Sequence, residues 1–320
     1  MSIRTKKIRV EIPHRISGFF EIVDKINGVK ISEPERIGSR GAGFCVNVLG
    51  ITEITAQINN NSDEFEVDIF INGEKVNQQA ETTYYIVNYI RKYLKKPYNI
   101  KIYHSFELPV GCGYGASGSG ALGTIFGLDH LLNLNLTYLE KGKIAHIAEV
   151  VNRTGLGTVC GQINGGMGIL KESGFPCVYE RIKVPRGIKI ICGSLGIIPT
   201  KSILSDPILS IKIKEAGKKA LESLIIDPNI KTFVKTSIEF VKNTEILDIL
   251  DLPEIKELMD SLNKLNIIGA SMNQLGRSVY AICKKEEEKH VLSVFESYRP
   301  EIKIFSTSVH EKSSFIVKNK

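Results

Sequence analysis

The sequence lacks the patterns that mark zinc-binding, secreted and membrane proteins. It contains no C-x-x-C pair and no histidine at zinc-ligand spacing from its six cysteines, which are Cys45, Cys112, Cys160, Cys177, Cys192 and Cys283. We therefore predict small, buried cysteines in a reducing compartment. No run approaches 18 apolar residues, and the opening MSIRTKKIRV lacks the apolar core of a signal peptide. The sequence thus predicts a cytoplasmic protein with no membrane partner.

The sequence also lacks a basic block. Its 42 Lys and Arg exceed its 35 Asp and Glu, which gives a formal net charge of +7 and a pI near 8.9. These charges are scattered and form no arginine-rich or aromatic-interleaved segment, so we expect no nucleic-acid partner. A mild positive potential suits small anionic ligands, although a solvated lysine-rich surface explains the same excess.

The length of 320 residues and the hydrophobic content of 42% allow a sizeable core and favour two domains. We predict strands over 6–12 (broken at Pro13), 45–49, 51–58, 65–71, 99–106, 167–171, 178–184, 189–193, 278–283 and 302–308. We predict helices over 76–94, 122–132, 137–151, 201–223, 228–242, 253–265 and 286–295. The helical region after Pro185 sets the boundary between an N-terminal α+β domain, 1–185, and a C-terminal domain, 186–320.

The stretch around which the chain is organised is the glycine-rich segment PVGCGYGASGSGA at 109–121, between a predicted strand and a predicted helix. Glycines allow a sharp turn with consecutive exposed N–H groups, and the helix behind adds the positive end of its dipole. We therefore predict a phosphate-binding loop, with a ligand-free glycine turn as the alternative. Ser117, near the helix start, has a hydroxyl suited to capping the helix or to coordinating Mg²⁺.

Three better-known nucleotide motifs do not fit this segment. Residues 113–118 match G-x-G-x-x-G, but a dinucleotide site needs a following strand that ends in an acidic residue roughly 20 positions on. Here Asp129 falls inside the continuing helix. A Walker A loop would end in Gly-Lys-Ser/Thr, and a protein kinase would carry V-A-I-K and H-R-D elements. The sequence has none of these.

A second helix contributes polar residues. Thr137 and Glu140 form the S/T-x-x-E pattern of a capping box. Farther along, His146 and Glu149 are three residues apart and Arg153 follows four later, a spacing that predicts one shared helix face. A solvated polar face is the alternative interpretation.

The order strand, P-x-G-x-G-[LY]-G-x-S, helix resembles the second motif of the GHMP kinase superfamily, which includes galacto-, homoserine, mevalonate and phosphomevalonate kinases. The segments 13–21 and 269–276 resemble its first and third motifs, although GASMNQLG departs from the usual adjacent glycines. The resemblance implies an α+β GHMP kinase fold of two domains, the first like ribosomal protein S5 domain 2 and the second an α/β sandwich. Nucleotide and acceptor would lie in the cleft between them.

Within this superfamily the chain is most similar to the pantoate kinases of archaea. The similarity lies in HRISGFFEI, GSRGAGF, PVGCGYGASGSGAL, HIAEV, NRTGLG and PTKSIL, and it spans nearly the whole chain. It implies ATP-dependent phosphorylation of pantoate to 4-phosphopantoate, on the way to coenzyme A, with ATP and Mg²⁺ as cofactors. A homodimer is the expected assembly, by family and by the prevalence of symmetric dimers.

The resemblance also implies roles for single residues. Ser117 and Glu149 would coordinate Mg²⁺, since a hydroxyl and one carboxylate suit this ion. The catalytic aspartate of many GHMP kinases aligns with Thr158, so catalysis here would rely on positioning and charge stabilisation, as in homoserine kinase. The implied ATP-binding residues are Pro109, Gly111, Gly113, Tyr114, Gly115, Ala116, Ser117, Gly118 and Ser119. Pantoate carries a carboxylate, for which the predicted contacts are Arg15, Arg40, Arg153 and Lys201, with Ser39 and His146 as hydrogen-bond partners.

Two other functions stay open on the sequence alone. One is a GHMP kinase for a different acceptor, such as homoserine or a sugar. The other is a catalytically silent binding protein with the same fold, suggested by Thr158 and by the altered third motif. The presence of Ser117 and Glu149 argues against the silent form.

Overall fold

The computed structural model describes residues 6–59, 64–198, 200–312 and 316–319, so Pro199 of the PTKSIL segment lies outside the described residues. The strands are β1 Lys6–Val23, β2 Lys25–Ile26, β3 Val29–Lys30, β4 Gly38–Ile58, β5 Glu66–Ile71, β6 Glu74–Lys75, β7 Tyr98–Ser105, β8 Met167–Leu170, β9 Tyr179–Ile182, β10 Ile188–Gly196, β11 Gly269–Met272, β12 Arg277–Lys284, β13 Lys303–Thr307 and β14 Ile316–Asn319. The helices are α1 Glu81–Arg91, α2 Ala116–Leu132, α3 Tyr138–Asn152, α4 Thr158–Asn164, α5 Thr200–Ser205, α6 Pro207–Ile226, α7 Ile230–Thr244, α8 Ile246–Ile249, α9 Pro253–Asn263 and α10 Glu288–Glu296.

Two larger sheets organise these elements. The first follows the order β14-β1-β4-β7-β5-β6, with β8 paired to β4 and β9 paired to β8. Its pairings are antiparallel except for β5 with β7. The second sheet is antiparallel in the order β11-β12-β10-β13. Among the helices of the described residues, none is long and apolar enough to cross a membrane.

The long strands β1 and β4 contribute to two hydrophobic cores. Alternate residues in the first half of β1, such as Ile8 and Ile12, pack with Leu122 and Ile125 of α2. The second half of β1 instead faces α6, α7 and the second sheet, where buried aromatic rings meet; these are Phe19, Phe44, Phe233, Phe240 and Tyr280. Helix α2 is therefore held against β1 and β4, and the phosphate loop at its start sits between the two cores.

Several local predictions are confirmed. The Asn72-Gly73 turn joins β5 and β6, and Thr137 and Glu140 form the capping box of α3. The predicted strands after the loop and the predicted helices of the second half are present with bounds shifted by a few residues, and the helix predicted at 201–223 divides at Asp206, which caps α6.

Other local predictions are wrong. Strand β1 does not stop at Pro13, because a register shift between Pro13 and His14 accommodates the missing N–H and the pairing with β4 resumes. The strands predicted at 45–49 and 51–58 are one strand, β4, which also includes the glycine cluster at 38–44. The helix predicted at 76–94 begins only at Glu81, after a 3₁₀ turn. Helix α4 was not predicted, since seven residues between glycines are too few to establish a period.

The prediction for the cysteines is correct for four and wrong for two. Cys45, Cys112, Cys192 and Cys283 are free and buried. Cys160 of α4 and Cys177 form a disulfide, with Cα atoms 6.2 Å apart. Tertiary packing of α4 brings this pair together, and a sequence separation of 17 residues gave no sign of it.

Candidate active site

The predicted phosphate loop connects β7 to α2 through left-handed backbone. Gly113 and Gly115 have φ angles of +85° and +67°, which glycine adopts at little steric cost. Gly115 is the N-cap of α2 and has no side chain to cap the helix, so the first-turn N–H groups remain suited to an anion. Ser117 is the second residue of α2, where Gly115 is the N-cap, so it does not take the predicted capping role; its metal coordination stays a prediction.

Tyr114 anchors the loop between the two cores. Its side chain is buried, and its hydroxyl lies 2.8 Å from Ser194 Oγ on β10. Its carbonyl oxygen accepts hydrogen bonds from the Arg15 N–H and from His14 Nδ1, both at 3.0 Å. Burial lowers the pKa of His14 to about 4, so its ring is neutral at physiological pH. The loop backbone is thus fixed from both sides.

The segment predicted as the third motif supports the same loop. The Cys112 carbonyl oxygen accepts hydrogen bonds from Asn273 Nδ2 at 3.2 Å and from Ser278 Oγ at 2.7 Å. A Cβ on Gly276 would collide with that oxygen, so only glycine allows this approach. The segment 269–276 therefore acts on the loop through its backbone and one amide side chain.

Ser117 and Glu149 meet where α2 begins. Ser117 Oγ donates a hydrogen bond to Glu149 Oε1 at 2.5 Å, and Thr154 Oγ1 donates to the same oxygen at 3.4 Å. The glutamate comes from α3, which packs beside α2, so two predicted metal ligands are brought together. Sequence reasoning did not identify Thr154 as a neighbour of this pair.

The Glu149 carboxyl group is deeply buried. Only 1% of the residue is exposed, and Oε2 has no hydrogen-bond partner among the described residues. Burial raises the pKa of Glu149 to about 7, against a smaller lowering by its bonds to Ser117 and Thr154. A buried, unpartnered carboxylate oxygen is costly in the free protein, and a bound cation removes that cost.

Thr158 begins helix α4, which packs beside the loop and against β1. Its Cγ2 methyl approaches Gly115 and Gly118, since a Cβ built on either glycine would lie 2.7 or 3.0 Å from it. One turn later, Gln162 is fully buried on the same side of α4. Helix α4, which was not predicted, thus carries both Thr158 and an amide that sequence reasoning did not identify.

Tyr114, Ser117 and Thr158 border a cavity of about 300 Å³, behind whose lining Glu149 and Gln162 lie buried. Of the predicted ATP-binding residues, six line it: Gly111, Gly113, Tyr114, Gly115, Ala116 and Ser117. Pro109, Gly118 and Ser119 are not among its lining residues, and Ser119 Oγ donates instead to the Ile12 carbonyl. The rest of the wall includes an apolar part formed by Phe19, Phe20, Leu156, Leu170, Leu204 and Leu275.

Four of the six predicted substrate contacts line this cavity: Arg15, Ser39, Arg153 and Lys201. Arg153 is the left-handed C-cap of α3, so the predicted common face with His146 and Glu149 does not extend to it. Its guanidinium donates to Ser205 Oγ at 3.0 Å. Lys201 Nζ lies 3.2 Å from Glu81 Oε1, so this carboxylate, which was not predicted, belongs to the cavity mouth.

Arg15 differs from these two cations because it is 3% exposed. Its guanidinium lies against the backbone of α4 at Gly161, and Nη1 has no hydrogen-bond partner among the described residues. The other predicted contacts, Arg40 and His146, do not line the cavity. Arg40 donates two hydrogen bonds to Glu21 on the paired strand, and His146 Nε2 donates to the Ile37 carbonyl at 2.9 Å. Their substrate contacts stay predictions.

Known proteins are similar to this chain in sequence and in architecture. The family described as GHMP kinases N terminal domain matches residues 81–166. The pantoate kinase of Methanocaldococcus jannaschii is 34% identical over 287 residues, which cover 89% of this chain and 96% of that protein.

Two solved structures extend the comparison. One, described as a phosphotransferase related to the CoA biosynthesis pathway, has a TM-score of 0.84 at 27% identity and covers 98% of this chain and 99% of its own. A homoserine kinase from Cytophaga hutchinsonii has a TM-score of 0.68 at 13% identity, with 99% of both chains covered, which is a likeness of fold alone. These likenesses confirm the α+β fold predicted from the sequence.

Proposed function

Since the chain belongs to the pantoate kinase family of the GHMP kinases, we propose that it transfers the γ-phosphoryl group of ATP to the primary hydroxyl of pantoate. The product is 4-phosphopantoate. The observation that carries this proposal is the contact of Ser117 with Glu149 at the start of the phosphate loop helix. A hydroxyl and a carboxylate beside a phosphate-binding helix start are the groups that a Mg²⁺-nucleotide site needs.

The nucleotide phosphates are held by the loop backbone, from Gly111 to Ala116, and by the first turn of α2. The residues present also fit Mg²⁺, because the buried Glu149 Oε2 has no other partner among the described residues. Ser117 and Glu149 would hold it. When bound, Mg²⁺ neutralises charge that develops on the transferring phosphoryl group.

The acceptor hydroxyl has no carboxylate base in this cavity. Glu81 is the one carboxylate among the lining residues, and Lys201 neutralises it at the cavity mouth. Thr158 supplies only a hydroxyl, which has a pKa far too high for a base at neutral pH. Rate enhancement therefore comes from positioning the two reactants and from charge stabilisation.

Pantoate is an anion with a dimethylated carbon at its centre. Arg153 and Lys201 lie on the exposed side of the cavity, where each is engaged with a side chain that an anionic acceptor would displace. The apolar wall that includes Leu156, Leu170 and Leu204 suits the two methyl groups. Homoserine has no such methyl groups and carries an ammonium group, which these cations disfavour.

The proposed arrangement has two domains, 1–185 and 186–320, with the cleft between them. The cavity lining supports this division, because Lys201, Leu204, Gln274 and Leu275 face residues from the first 170 positions. We also propose a cytoplasmic homodimer, in keeping with the base rate for soluble oligomers.

The proposal is tested by coupled ADP release with pantoate, homoserine, mevalonate and galactose as acceptors, with and without Mg²⁺. We expect turnover with pantoate at a kcat/KM at least about 100-fold above the other acceptors, and a product phosphorylated on the primary hydroxyl by ³¹P NMR. Preference for another acceptor would refute the pantoate assignment. No turnover with any of the four, together with tight ATP binding, would favour a silent binding protein.

A further inference from the structure

Gln162 is a buried amide whose orientation is fixed by its surroundings. The residue is 0% exposed, and its Nε2 donates to the Pro13 and Gly115 carbonyl oxygens, each at 2.9 Å. The opposite amide orientation would place Oε1 against two carbonyl acceptors, so hydrogen bonding determines the assignment. Gln162 therefore links β1 to the N-cap of the phosphate loop helix and directs Oε1 away from both.

The oxygen of this amide has no donor in the described part of the chain. A Cβ built on Gly118 would lie 2.5 Å from Gln162 Oε1 and 3.2 Å from Glu149 Oε2, so both oxygens approach one point beside the first turn of α2. Glu149 Oε2 also lacks a partner among the described residues. Two buried acceptors that face the same small space require a donor between them or beside them.

We propose that Gln162 is a positioning residue of the metal site, whose Oε1 accepts a hydrogen bond from a water ligand of the cation held by Ser117 and Glu149. The inference rests on the proposed function, because it takes Mg²⁺-nucleotide as the ligand of that pair. Mg²⁺ keeps several water ligands when proteins bind it through one carboxylate. Oxygens that accept from those waters orient the site and typically contribute 10- to 100-fold to metal affinity.

The same residue connects the metal to the phosphates. Its Nε2 bond to the Gly115 carbonyl fixes the residue at which the loop becomes helix, while Oε1 faces the Glu149 carboxylate. Losing the tether would weaken binding of the nucleotide with or without metal. Losing only the Oε1 acceptor would instead reduce the gain in nucleotide affinity that Mg²⁺ provides. These two effects separate experimentally.

The test is calorimetric ADP binding to the full chain, with and without Mg²⁺, in wild type, Gln162→Met and Gln162→Glu. The readout is the Mg²⁺ factor, which is the Kd for ADP without Mg²⁺ divided by the Kd for ADP with Mg²⁺. Methionine keeps the volume and removes both polar atoms. Glutamate keeps an acceptor oxygen, but it loses the tether, because its second oxygen faces the Pro13 and Gly115 carbonyl oxygens, and it adds a negative charge that does not weaken cation binding. We expect Gln162→Met to reduce the Mg²⁺ factor at least about 10-fold and Gln162→Glu to retain it within about threefold.

Asn263→Leu is the matched control. The Asn263 amide also bridges two backbone carbonyls, those of Met259 and Ala270, at 2.9 Å each, but it lies outside the cavity lining and its oxygen accepts from the Ala270 N–H. Its loss should leave the Mg²⁺ factor unchanged. If circular dichroism shows that Gln162→Met is not folded, Gln162→Asn takes the place of that variant, because asparagine withdraws the oxygen by one carbon.

The outcomes distinguish this inference from the proposed function. An unchanged Mg²⁺ factor in Gln162→Met, or equal losses of that factor in the methionine and glutamate variants, would overturn the role of Oε1. A wild type in which Mg²⁺ does not tighten ADP binding would instead refute the proposed metal site. Mn²⁺ titration followed by electron paramagnetic resonance gives a second readout, in which Gln162→Met should bind the ion about 10-fold more weakly in the ADP complex.

Discussion

The proposed metal site and the proposed acceptor side of the cavity hold their polar groups in opposite ways. On the metal side, Glu149 and Gln162 are buried, and each has an oxygen without a partner among the described residues. On the proposed acceptor side, the Lys201 side chain is 59% exposed and pairs with Glu81, whose side chain is 42% exposed. Burial makes the first arrangement costly and specific, whereas an exposed pair in water contributes little and is easily exchanged. The polar groups of the proposed metal site are therefore held in one arrangement, whereas the exposed cations on the proposed acceptor side can exchange partners.

The largest expected effect comes from removing a ligand on the metal side. We expect Ser117→Ala to lower kcat at least about 100-fold and to change the KM for ATP much less, because charge stabilisation by the metal grows in the transition state. Ser119→Ala is the matched control, since this serine, although also an implied ATP contact, is not among the cavity's lining residues and its hydroxyl donates to the Ile12 carbonyl. The measurement is the steady-state kcat and the KM for ATP of both variants and wild type. A kcat within about threefold of wild type would mean that the metal is held elsewhere.

The buried carboxylate should also weaken the ligand-free protein. The pKa of Glu149 is about 7 in the fold against an ordinary value of 4.5, so the folded state holds this proton more tightly than the unfolded chain. The cost is absent below pH 4.5, grows as pH rises towards 7, and is complete above it.

We therefore expect Glu149→Gln to raise the free energy of unfolding at pH 8, by up to roughly 3 kcal/mol, while it abolishes activity. At pH 4.5 the variant and wild type should be nearly equal. Urea unfolding at both pH values provides the measurement. A stability difference that does not vary with pH would contradict the burial of a titrating carboxyl group.

The acceptor side should respond in binding and less in turnover. We expect Lys201→Met to raise the KM for the anionic acceptor about 10-fold, and Glu81→Gln to lower it slightly, because the lysine is then released from its partner. Lys143→Met, which removes a similar exposed pair with Glu35 outside the cavity lining, is the control. If both Lys201→Met and Glu81→Gln raised KM equally, the pair itself would form the site.

The smallest effect is expected at Thr158, where the sequence resemblance predicts the family aspartate to fall. Thr158→Ala and the isosteric Thr158→Val should each lower kcat less than about tenfold, since a threonine hydroxyl donates one hydrogen bond and accepts no proton at neutral pH. The measurement is kcat and KM for pantoate. A loss above about a thousandfold would exceed the contribution of one donor and would make this threonine central to catalysis.

The metal side was more predictable from the sequence than the acceptor side. Glycines that require left-handed backbone, a helix after a strand and a capping box are local signals, and they located Gly115, Ser117 and the helix of Glu149. Whether Ser117 and Glu149 touch depends on how α2 packs against α3, and only the family resemblance predicted that contact.

The remainder depends on tertiary contacts without a local signal. The sequence alone does not distinguish Arg40 from Arg153. In the fold, Arg40 pairs with Glu21 on the neighbouring strand, whereas Arg153 lines the cavity. Gln162 lies in a helix of seven residues that shows no period, and its role follows from carbonyls of Pro13 and Gly115 far away in the chain. Likewise, a proline within β1 suggested a strand end that a register shift avoids.

The Cys112 carbonyl accepts hydrogen bonds from Asn273 and Ser278. These contacts limit where this protein can be joined to a relative in a chimera. A chimera that joins the first half of this protein to the second half of a relative would keep every residue of the glycine loop. It would nevertheless replace both donors and the glycine that allows their approach, Gly276. The two halves therefore form a structurally matched set, and a crossover point for engineering belongs after residue 278, so that Asn273, Gly276 and Ser278 stay with the loop that they support.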